Sequence, residues 1–254
     1  MDKVFAIGDI HGSYQLLDKV LDYWNPNEEL LIFLGDYIDR GKDSLQVLRK
    51  VIELSKEYKV ITLSGNHEQI FLNWLKKPKV MSEFYFDQKV GGASTIESFF
   101  SAMPHQPSME DLSVEQMVEI LKTNFADEIE FLKNLRLYYY WRPYVFVHAG
   151  INAGVDDFLE TGSDEFLWIR EEFTKVPHQA KEIVVFGHTP TIFLNEDGSS
   201  EVWISPCRKK IGIDGGGEIY KDGNIHGVRF QRNSSEIEVY SANGKGITTS
   251  HFTL

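Results

Sequence analysis

The alternation of apolar runs and short polar turns along the chain predicts its secondary structure. Apolar runs at 3–8, 30–34 and 59–63 have the length and composition of short buried strands. Between these runs, apolar residues recur at helical spacing from Leu16 to Trp24 and from Leu45 to Ile52. The first quarter of the chain therefore predicts a βαβαβ unit with parallel strands and right-handed crossovers.

The pattern of alternating strands and helices is interrupted between Gln69 and about Tyr144. Here the pattern predicts helices, one of them over 125–135, and the pair Ser113 and Gln116 matches a capping box at the start of another. We interpret residues 69–144 as a helical insertion beside the functional site. The whole chain, 1–254, is then expected to form one domain.

Strands return after the insertion. Apolar runs at 144–147 and 183–186 predict two more buried strands, and a short helix is expected over 164–173. From 201 to 240, apolar and polar residues alternate between turn signals, which predicts a β-rich, antiparallel segment. The sequence thus predicts an α/β protein with both parallel and antiparallel strands.

Composition and charge exclude some classes of binding partner and leave others open. The formal net charge of -12 argues against a protein that binds the nucleic-acid backbone, because such proteins need a basic surface. A phosphorylated substrate stays compatible with this charge, since a local cationic site can outweigh the distant surface. The single cysteine, Cys207, excludes an internal disulfide and suits a reducing compartment.

Targeting signals are not evident in the sequence. The apolar run near the N-terminus is too short for a signal peptide, and no run approaches the roughly 18 residues of a membrane span. We therefore expect a cytoplasmic protein with no membrane partner. The oligomeric state is left open.

Five of the predicted strands end in polar turns that contain glycine. The turns read GDIHG, GDYIDRG, GNHE, HAG and FGHTP, and open α/β sheets place their ligands at such strand ends. Taken singly, such side chains more often lie in solvated turns, pack in the core as histidines or form surface ion pairs. The recurrence of polar, glycine-containing turns at five strand ends favours one shared site. The candidate residues are Asp9, His11, Asp36, Asp39, Arg40, Asn66, His67, His148 and His188.

The chemistry of this set predicts a pair of metal ions. Oxygen and imidazole ligands without thiolates suit Mn²⁺, Fe or Zn²⁺. The set is larger than one ion needs, whereas two ions that share a carboxylate would use it, and Asp36 stands centrally in the series. Such a pair lowers the pKa of a shared water and can hold a phosphoryl group for in-line attack.

The same five blocks, in order from Gly8 to Pro190, resemble the signature blocks of the phosphoprotein phosphatase family of metallophosphoesterases. The strings GNHEQ, LWIRE and the IDGG at 213–216 are similar to the bacterial and phage branch of serine/threonine protein phosphatases. The resemblance implies a calcineurin-like fold, in which two mixed β-sheets pack as a sandwich flanked by helices. It also implies two divalent metal ions at the C-terminal strand ends, with Mn²⁺ as the first expectation and Fe or Zn²⁺ as alternatives.

The resemblance implies roles for individual residues as well. Its metal ligands would be Asp9, His11, Asp36, Asn66, His148 and His188. His67 would be the general acid and Asp39 its orienting partner, which suits an imidazolium that protonates a leaving oxygen. Arg40, Arg170 and Asn66 would bind the phosphate, where a planar guanidinium can grip two oxygens at once.

Three hypotheses of function follow. The first is hydrolysis of phosphomonoesters, foremost phosphoserine and phosphothreonine on proteins, by direct attack of a metal-bridging hydroxide without a phosphoenzyme. The second is a symmetrical dinucleoside tetraphosphatase, which would use the same residues on a phosphoanhydride; phosphotyrosine or a small phosphorylated metabolite also stays open. The third is a binding module that has kept only the fold, which the complete set of core residues disfavours.

Overall fold

The computed structural model describes residues 1–217 and 219–254. The strands are β1 (Lys3–Ile7), β2 (Glu29–Phe33), β3 (Val60–Thr62), β4 (Tyr138–Trp141), β5 (Tyr144–Val147), β6 (Ile183–Phe186), β7 (Trp203–Ile204), β8 (Lys210–Gly212), β9 (Ile225–Gln231), β10 (Glu236–Asn243) and β11 (Gly246–Thr253). The helices are α1 (Tyr14–Leu21), α2 (Ser44–Glu57), α3 (Asn66–Lys76), α4 (Pro78–Tyr85), α5 (Gly92–Ser101), α6 (Val114–Asn124), α7 (Ala126–Lys133), α8 (Ser163–Trp168) and α9 (Glu171–Thr174). None of the described helices is long and apolar enough to cross a membrane.

The strands form two mixed sheets. The first has the order β11-β10-β9-β1-β2-β3, in which β1, β2 and β3 are parallel and the last three strands of the chain join antiparallel beside β1. The second has the order β4-β5-β6-β8-β7, with β5, β6 and β8 parallel. The C-terminal ends of six parallel strands are therefore available to carry functional groups.

Strand β1 shows how the sheets are buried on both faces. Because successive side chains of a strand point to opposite faces, Val4 and Ala6 pack between the two sheets. Phe5 and Ile7 point the other way and pack against the helical layer, which includes α1, α2 and α3. The second sheet has its own outer apolar cluster, and this arrangement confirms the predicted sandwich flanked by helices.

Several local expectations were wrong. The alternating pattern places the run at 210–213 in an antiparallel segment, but β8 pairs parallel with β6, and its other neighbour, β7, lies antiparallel to it. Strand β3 is half-buried instead of buried, because it lies at the edge of its sheet. The helix expected over 164–173 is two short helices, α8 and α9, with Arg170 between them.

Arg229 on β9 connects three strands of the first sheet. Its guanidinium donates hydrogen bonds to the carboxylates of Glu29 on β2 and Glu238 on β10. A third donor reaches the backbone carbonyl of Tyr23 at 2.7 Å. The Glu29 side chain is only 2% exposed, so Arg229 supplies the charge that balances a buried carboxylate.

We expect Arg229→Met to lower the free energy of unfolding by about 3–5 kcal/mol, because it leaves the Glu29 carboxylate buried without its cation. The matched control is Lys3→Met on β1, whose partner Glu28 stays in water and whose loss should cost less than about 1 kcal/mol. Urea unfolding followed by circular dichroism measures both values. Equal losses would contradict a structural role for the Arg229 network.

Candidate functional site

The C-terminal ends of strands from both sheets meet in one region. Asp9 and His11 follow β1, Asp36 follows β2, Asn66 and His67 open α3 directly after β3, and His148 and His188 follow β5 and β6. Hydrogen bonds join the turns of the two sheets here. The His188 backbone N–H donates to both oxygens of Asp9 at 3.0 and 3.1 Å, and His148 Nδ1 lies 2.9 Å from the Leu34 carbonyl oxygen. The structure thus brings together the residues that the five turns singled out.

Asp36 occupies the centre of this region. Its Oδ2 lies 3.4 Å from His11 Nε2 and 3.9 Å from His67 Nε2, and its Oδ1 lies 3.4 Å from His148 Nε2. Burial raises the pKa of the carboxyl group, but the surrounding imidazoles outweigh burial and hold that pKa far below its ordinary value. Asp36 is therefore ionised although its side chain is only 2% exposed.

Two groups of buried side chains have ligand atoms close enough to share an ion. In each group these atoms lie within 4.8 Å of one another, and the groups are His11, Asp36 and His67, and Asp36, His148 and His188. Both ring nitrogens of His188 are buried without a hydrogen-bond partner in the described part of the chain, as expected of a side chain that binds a metal. The donor set therefore fits a pair of ions, and Asp36 would be the ligand common to both. The carboxylate of Asp9 is buried beside this centre but belongs to neither group.

Three of the histidines are kept neutral by their surroundings. Burial is the largest cause that lowers the pKa of His11 and His148. Burial, with the nearby His148 and Arg170, lowers the pKa of His188 to about 2. A neutral imidazole is the form that donates a lone pair to a metal, so all three can act as ligands at neutral pH.

Hydrogen bonds to backbone carbonyls set the tautomers of two of these rings. His11 Nδ1 lies 2.8 Å from the Ile38 carbonyl oxygen, and His148 Nδ1 faces the Leu34 carbonyl oxygen. Each ring therefore carries its proton on Nδ1 and directs the lone pair of Nε2 inward. His148 Nε2 faces the amide oxygen of Asn66 at 3.0 Å, and two acceptors this close need a cation or a proton between them.

His67 differs from these histidines because it has a carboxylate partner. Its Nδ1 lies 2.8 Å from Asp39 Oδ2, and Asp39 Oδ1 accepts hydrogen bonds from Tyr85 Oη at 3.0 Å and Thr95 Oγ1 at 2.7 Å. Burial lowers the pKa of His67, but the charges of Asp36 and Asp39 outweigh it and raise that pKa. The ring is thus suited to carry and release a proton.

Two arginines border the centre. Arg40 donates from Nη1 to His11 Nε2 at 2.8 Å and from Nε to the Lys89 carbonyl oxygen at 3.3 Å. Arg170, at the break between α8 and α9, donates to the His188 carbonyl oxygen at 2.7 Å. Both predicted phosphate-binding guanidinium groups therefore lie next to residues of the two ligand groups.

Two acidic residues in this region were given no role by the sequence. The Glu68 carboxylate accepts the backbone N–H groups of Gly65, Asp36 and Tyr37 at 2.8–2.9 Å. Asp214 follows β8 and is buried, and burial raises its pKa to about 6. Two features of the sequence could have identified these residues. Glu68 lies in the first turn of a helix, and Asp214 stands between an apolar run and a glycine, as the other site residues do.

Backbone strain is concentrated here. Five of the eight non-glycine residues found with positive φ in the described chain belong to this region, namely His11, Asp36, Asp39, Arg40 and His188. Such conformations cost about 1–3 kcal/mol each and cluster at functional sites. The neighbouring glycines are sterically required, because a Cβ on Gly65 or Gly187 would lie 2.0 Å from a carboxylate oxygen of Asp36 or Asp9.

The chain is similar in sequence to two kinds of known phosphate hydrolase. The asymmetrical bis(5'-nucleosyl)-tetraphosphatase PrpE of Oceanobacillus iheyensis is 26% identical over 220 residues, which are 75% of this chain and 78% of that protein. Serine/threonine-protein phosphatase 1 of Salmonella typhimurium is 42% identical over 72 residues, 28% of this chain and only 32% of that protein.

A solved structure agrees in fold. A crystal structure assigned provisionally to a diadenosine tetraphosphatase superposes with a TM-score of 0.61 at 18% identity, covering 98% of this chain and 93% of that one. The model of the calcineurin-like phosphoesterase family matches residues 2–227, which include all five strand-end blocks. The chain therefore belongs to the calcineurin-like phosphoesterase family, as the resemblance of its blocks to the phosphoprotein phosphatases predicts.

Proposed function

We propose that this protein hydrolyses phosphate esters or phosphoanhydrides at a pair of divalent metal ions, with two substrate classes to be tested. The observation that carries the proposal is the position of Asp36, which is shared by both buried ligand groups and lies 3.9 Å from His67 Nε2. Phosphoserine and phosphothreonine in proteins are the first class, which the sequence blocks favour. Dinucleoside tetraphosphates are the second.

The metal-binding residues we propose are Asp9, His11, Asp36, Asn66, His148 and His188. When bound, two divalent ions supply an activated water and neutralise charge on the phosphoryl oxygens. Mn²⁺ is our first expectation, with Fe and Zn²⁺ as alternatives, because the donors are oxygens and imidazoles. The reaction then needs no nucleophilic side chain and forms no phosphoenzyme.

The other side chains would bind and protonate the substrate. His67 would give the proton on Nε2 to the leaving oxygen, while Asp39 holds the proton on Nδ1 and fixes the ring. Arg40 and Arg170 would each bind phosphate oxygens through their guanidinium forks, and the amide of Asn66 would assist them. Asp39 is itself fixed by hydroxyl groups of two buried side chains, and it would in turn hold the ring of His67 in position.

A specific observation favours the second class of substrate. The Oceanobacillus relative, whose alignment extends over most of both chains, is named as an asymmetrical bis(5'-nucleosyl)-tetraphosphatase. Asymmetrical cleavage of diadenosine tetraphosphate yields AMP and ATP, whereas the symmetrical cleavage considered from the sequence yields two molecules of ADP. The products therefore distinguish these two forms of the hypothesis.

Domain organisation and cellular location are part of the same proposal. We propose that the chain is a single domain in which the segment 69–144, now seen as helices α3 to α7 with β4, forms the rim that selects the substrate. We also propose a cytoplasmic location, on the basis of a chain with one cysteine.

The first test is a comparison of substrates in the presence of added Mn²⁺. A phosphoserine/phosphothreonine peptide, a phosphotyrosine peptide and diadenosine tetraphosphate are compared by kcat/KM, with chromatography of the nucleotide products. We expect hydrolysis of at least one of the three, and its loss on treatment with a chelator, because the ligand groups serve metal ions. Activity that survives complete removal of metal would contradict the proposal.

The second test concerns the general acid. We expect His67→Ala to lower kcat by roughly 10²–10⁴ on a phosphoserine peptide, whose leaving alkoxide needs a proton. The loss should be much smaller on p-nitrophenyl phosphate, whose leaving group is stable without one. His105→Ala, which changes an exposed histidine, is the control. An equal loss on both substrates would remove the acid role from His67.

The third test concerns the shared carboxylate. We expect Asp36→Asn to bind fewer than two ions per chain after dialysis against Mn²⁺, because a neutral amide replaces the charge common to both ligand groups. Metal content is measured by mass spectrometry on folded protein, with Asp18→Asn on the exposed face of α1 as the control. Two ions in the Asp36 variant would show that another residue forms the bridge.

A further inference from the structure

A cleft adjoins the metal-binding residues and was not assigned by the sequence. We call it the α5 cleft; its lining includes His11, Ser13, Arg40, Lys89, Ala93 and Tyr220. Its volume of about 610 Å³ lies within the range of roughly 300–1,000 Å³ that is typical of small-molecule sites. The cleft begins at His11 and Arg40, so whatever it holds lies directly beside the proposed phosphate site.

Ser13 provides a buried polar atom that lacks a partner. Its side chain is 1% exposed, and its Oγ has no hydrogen-bond partner within residues 1–217 and 219–254. Ser13 precedes α1, yet its hydroxyl does not cap that helix. Because buried hydroxyl groups are nearly always hydrogen-bonded, this one fits an oxygen atom of a ligand in the cleft.

The N-terminus of α5 forms a second part of the lining. The first backbone N–H groups of a helix have no acceptor inside it, and α5 has neither a side-chain cap nor an acidic residue in its first turn. Ala93 and Ser94, in that turn, line the cleft. These N–H groups and the positive end of the helix dipole favour an anion, above all a phosphate.

The loop before α5 holds this helix end against Arg40. The Arg40 backbone N–H donates to the Gly91 carbonyl oxygen at 3.1 Å, and its Nε reaches the Lys89 carbonyl oxygen. Gly91 has a φ of 78°, and a Cβ there would lie 2.7 Å from the Arg40 nitrogen, so only glycine fits. Arg40 and the start of α5 are thus positioned as one unit.

Charge and shape narrow the chemical class of ligand. The described lining contains the cations Arg40 and Lys89 and no carboxylate, although the chain as a whole carries a net charge of -12. Phe86, Ile219 and Tyr220 add apolar and aromatic surface to the same cleft. Cationic and helix-end groups beside aromatic side chains match a phosphate chain that ends in a nucleoside.

We propose that the α5 cleft binds the phosphoryl group next to the one that is attacked, so that the preferred substrate is a nucleotide with consecutive phosphates. This inference rests on the proposed hydrolysis and selects the second of its substrate classes. Water adds its oxygen to the attacked phosphorus and releases one proton to the solvent, while the bond from that phosphorus to the bridging oxygen breaks. The bridging oxygen leaves on the second phosphoryl group, which takes up a proton from His67 or the solvent. Ser13, Lys89 and the start of α5 hold that leaving group.

The test measures a ratio of activities, kcat/KM on diadenosine tetraphosphate divided by kcat/KM on p-nitrophenyl phosphate, in excess Mn²⁺. We expect Ser13→Ala and Lys89→Gln each to lower this ratio by about three- to tenfold, the scale of one lost ordinary hydrogen bond. Lys122→Gln, at an exposed lysine on α6, is the matched control and should keep the wild-type ratio. Thermal unfolding verifies that each variant is folded.

The outcomes separate this inference from the proposed function. An unchanged ratio in Lys89→Gln and in Ser13→Ala, with hydrolysis intact, overturns the cleft assignment alone. Wild-type protein without activity on any phosphate substrate overturns the proposed function and the inference with it. A peptide carrying two adjacent phosphoserines is a third substrate. If the variants lower its relative kcat/KM and not that of the nucleotide, the cleft takes a peptide and the nucleotide assignment is overturned.

Discussion

The site depends on keeping the Asp36 carboxylate ionised and out of water. Moving such a charge into a protein interior costs several kcal/mol unless opposite charges and hydrogen bonds compensate. Here the compensation comes from His67, whose pKa is raised beside Asp36, from the backbone N–H of His67, which donates to Asp36 Oδ1 at 3.1 Å, and from the cations that the two ligand groups would hold. Without equivalent compensation, a carboxylate at this position would be protonated and could not serve as the shared ligand that we propose.

This requirement explains why two sheets are needed. His11 and Asp36 come from neighbouring strands of the first sheet, while His148 comes from the second, so the apolar layer between the sheets sets the distances around the carboxylate. Glu68 fixes the backbone on one side by accepting three N–H groups from two loops. The positive φ of Asp36 can be maintained only because these contacts and the packing hold the loop in place.

The sequence predicted those parts of the site that depend on local position alone. Residues such as His11 and His148 directly follow apolar runs, and the end of a strand determines where its next residues lie. Tyr85 and Thr95 could not be predicted, because their contacts with Asp39 span 46 and 56 residues and depend on how α4 and α5 pack. The direction of β8 was missed for a related reason, since alternation along a strand does not reveal its partners. The sequence pattern places the start of α5 only within the predicted helical insertion. Its position at the cleft depends on its packing against Arg40, which the pattern does not reveal.

Chemical specialisation within the site comes from environment and not from residue type. His67 and His188 are both buried imidazoles near Asp36, yet their pKa values shift in opposite directions. His67 has Asp39 as an additional carboxylate partner, which favours the imidazolium, whereas His188 lies near His148 and Arg170, which disfavour it. One ring is therefore suited to release a proton and the other to donate a lone pair, which is how a single residue type can serve as acid and as ligand within one small region. Exchanging the two environments would exchange the two pKa shifts, so the acid role that we propose for His67 depends on the carboxylate of Asp39 as much as on the imidazole itself.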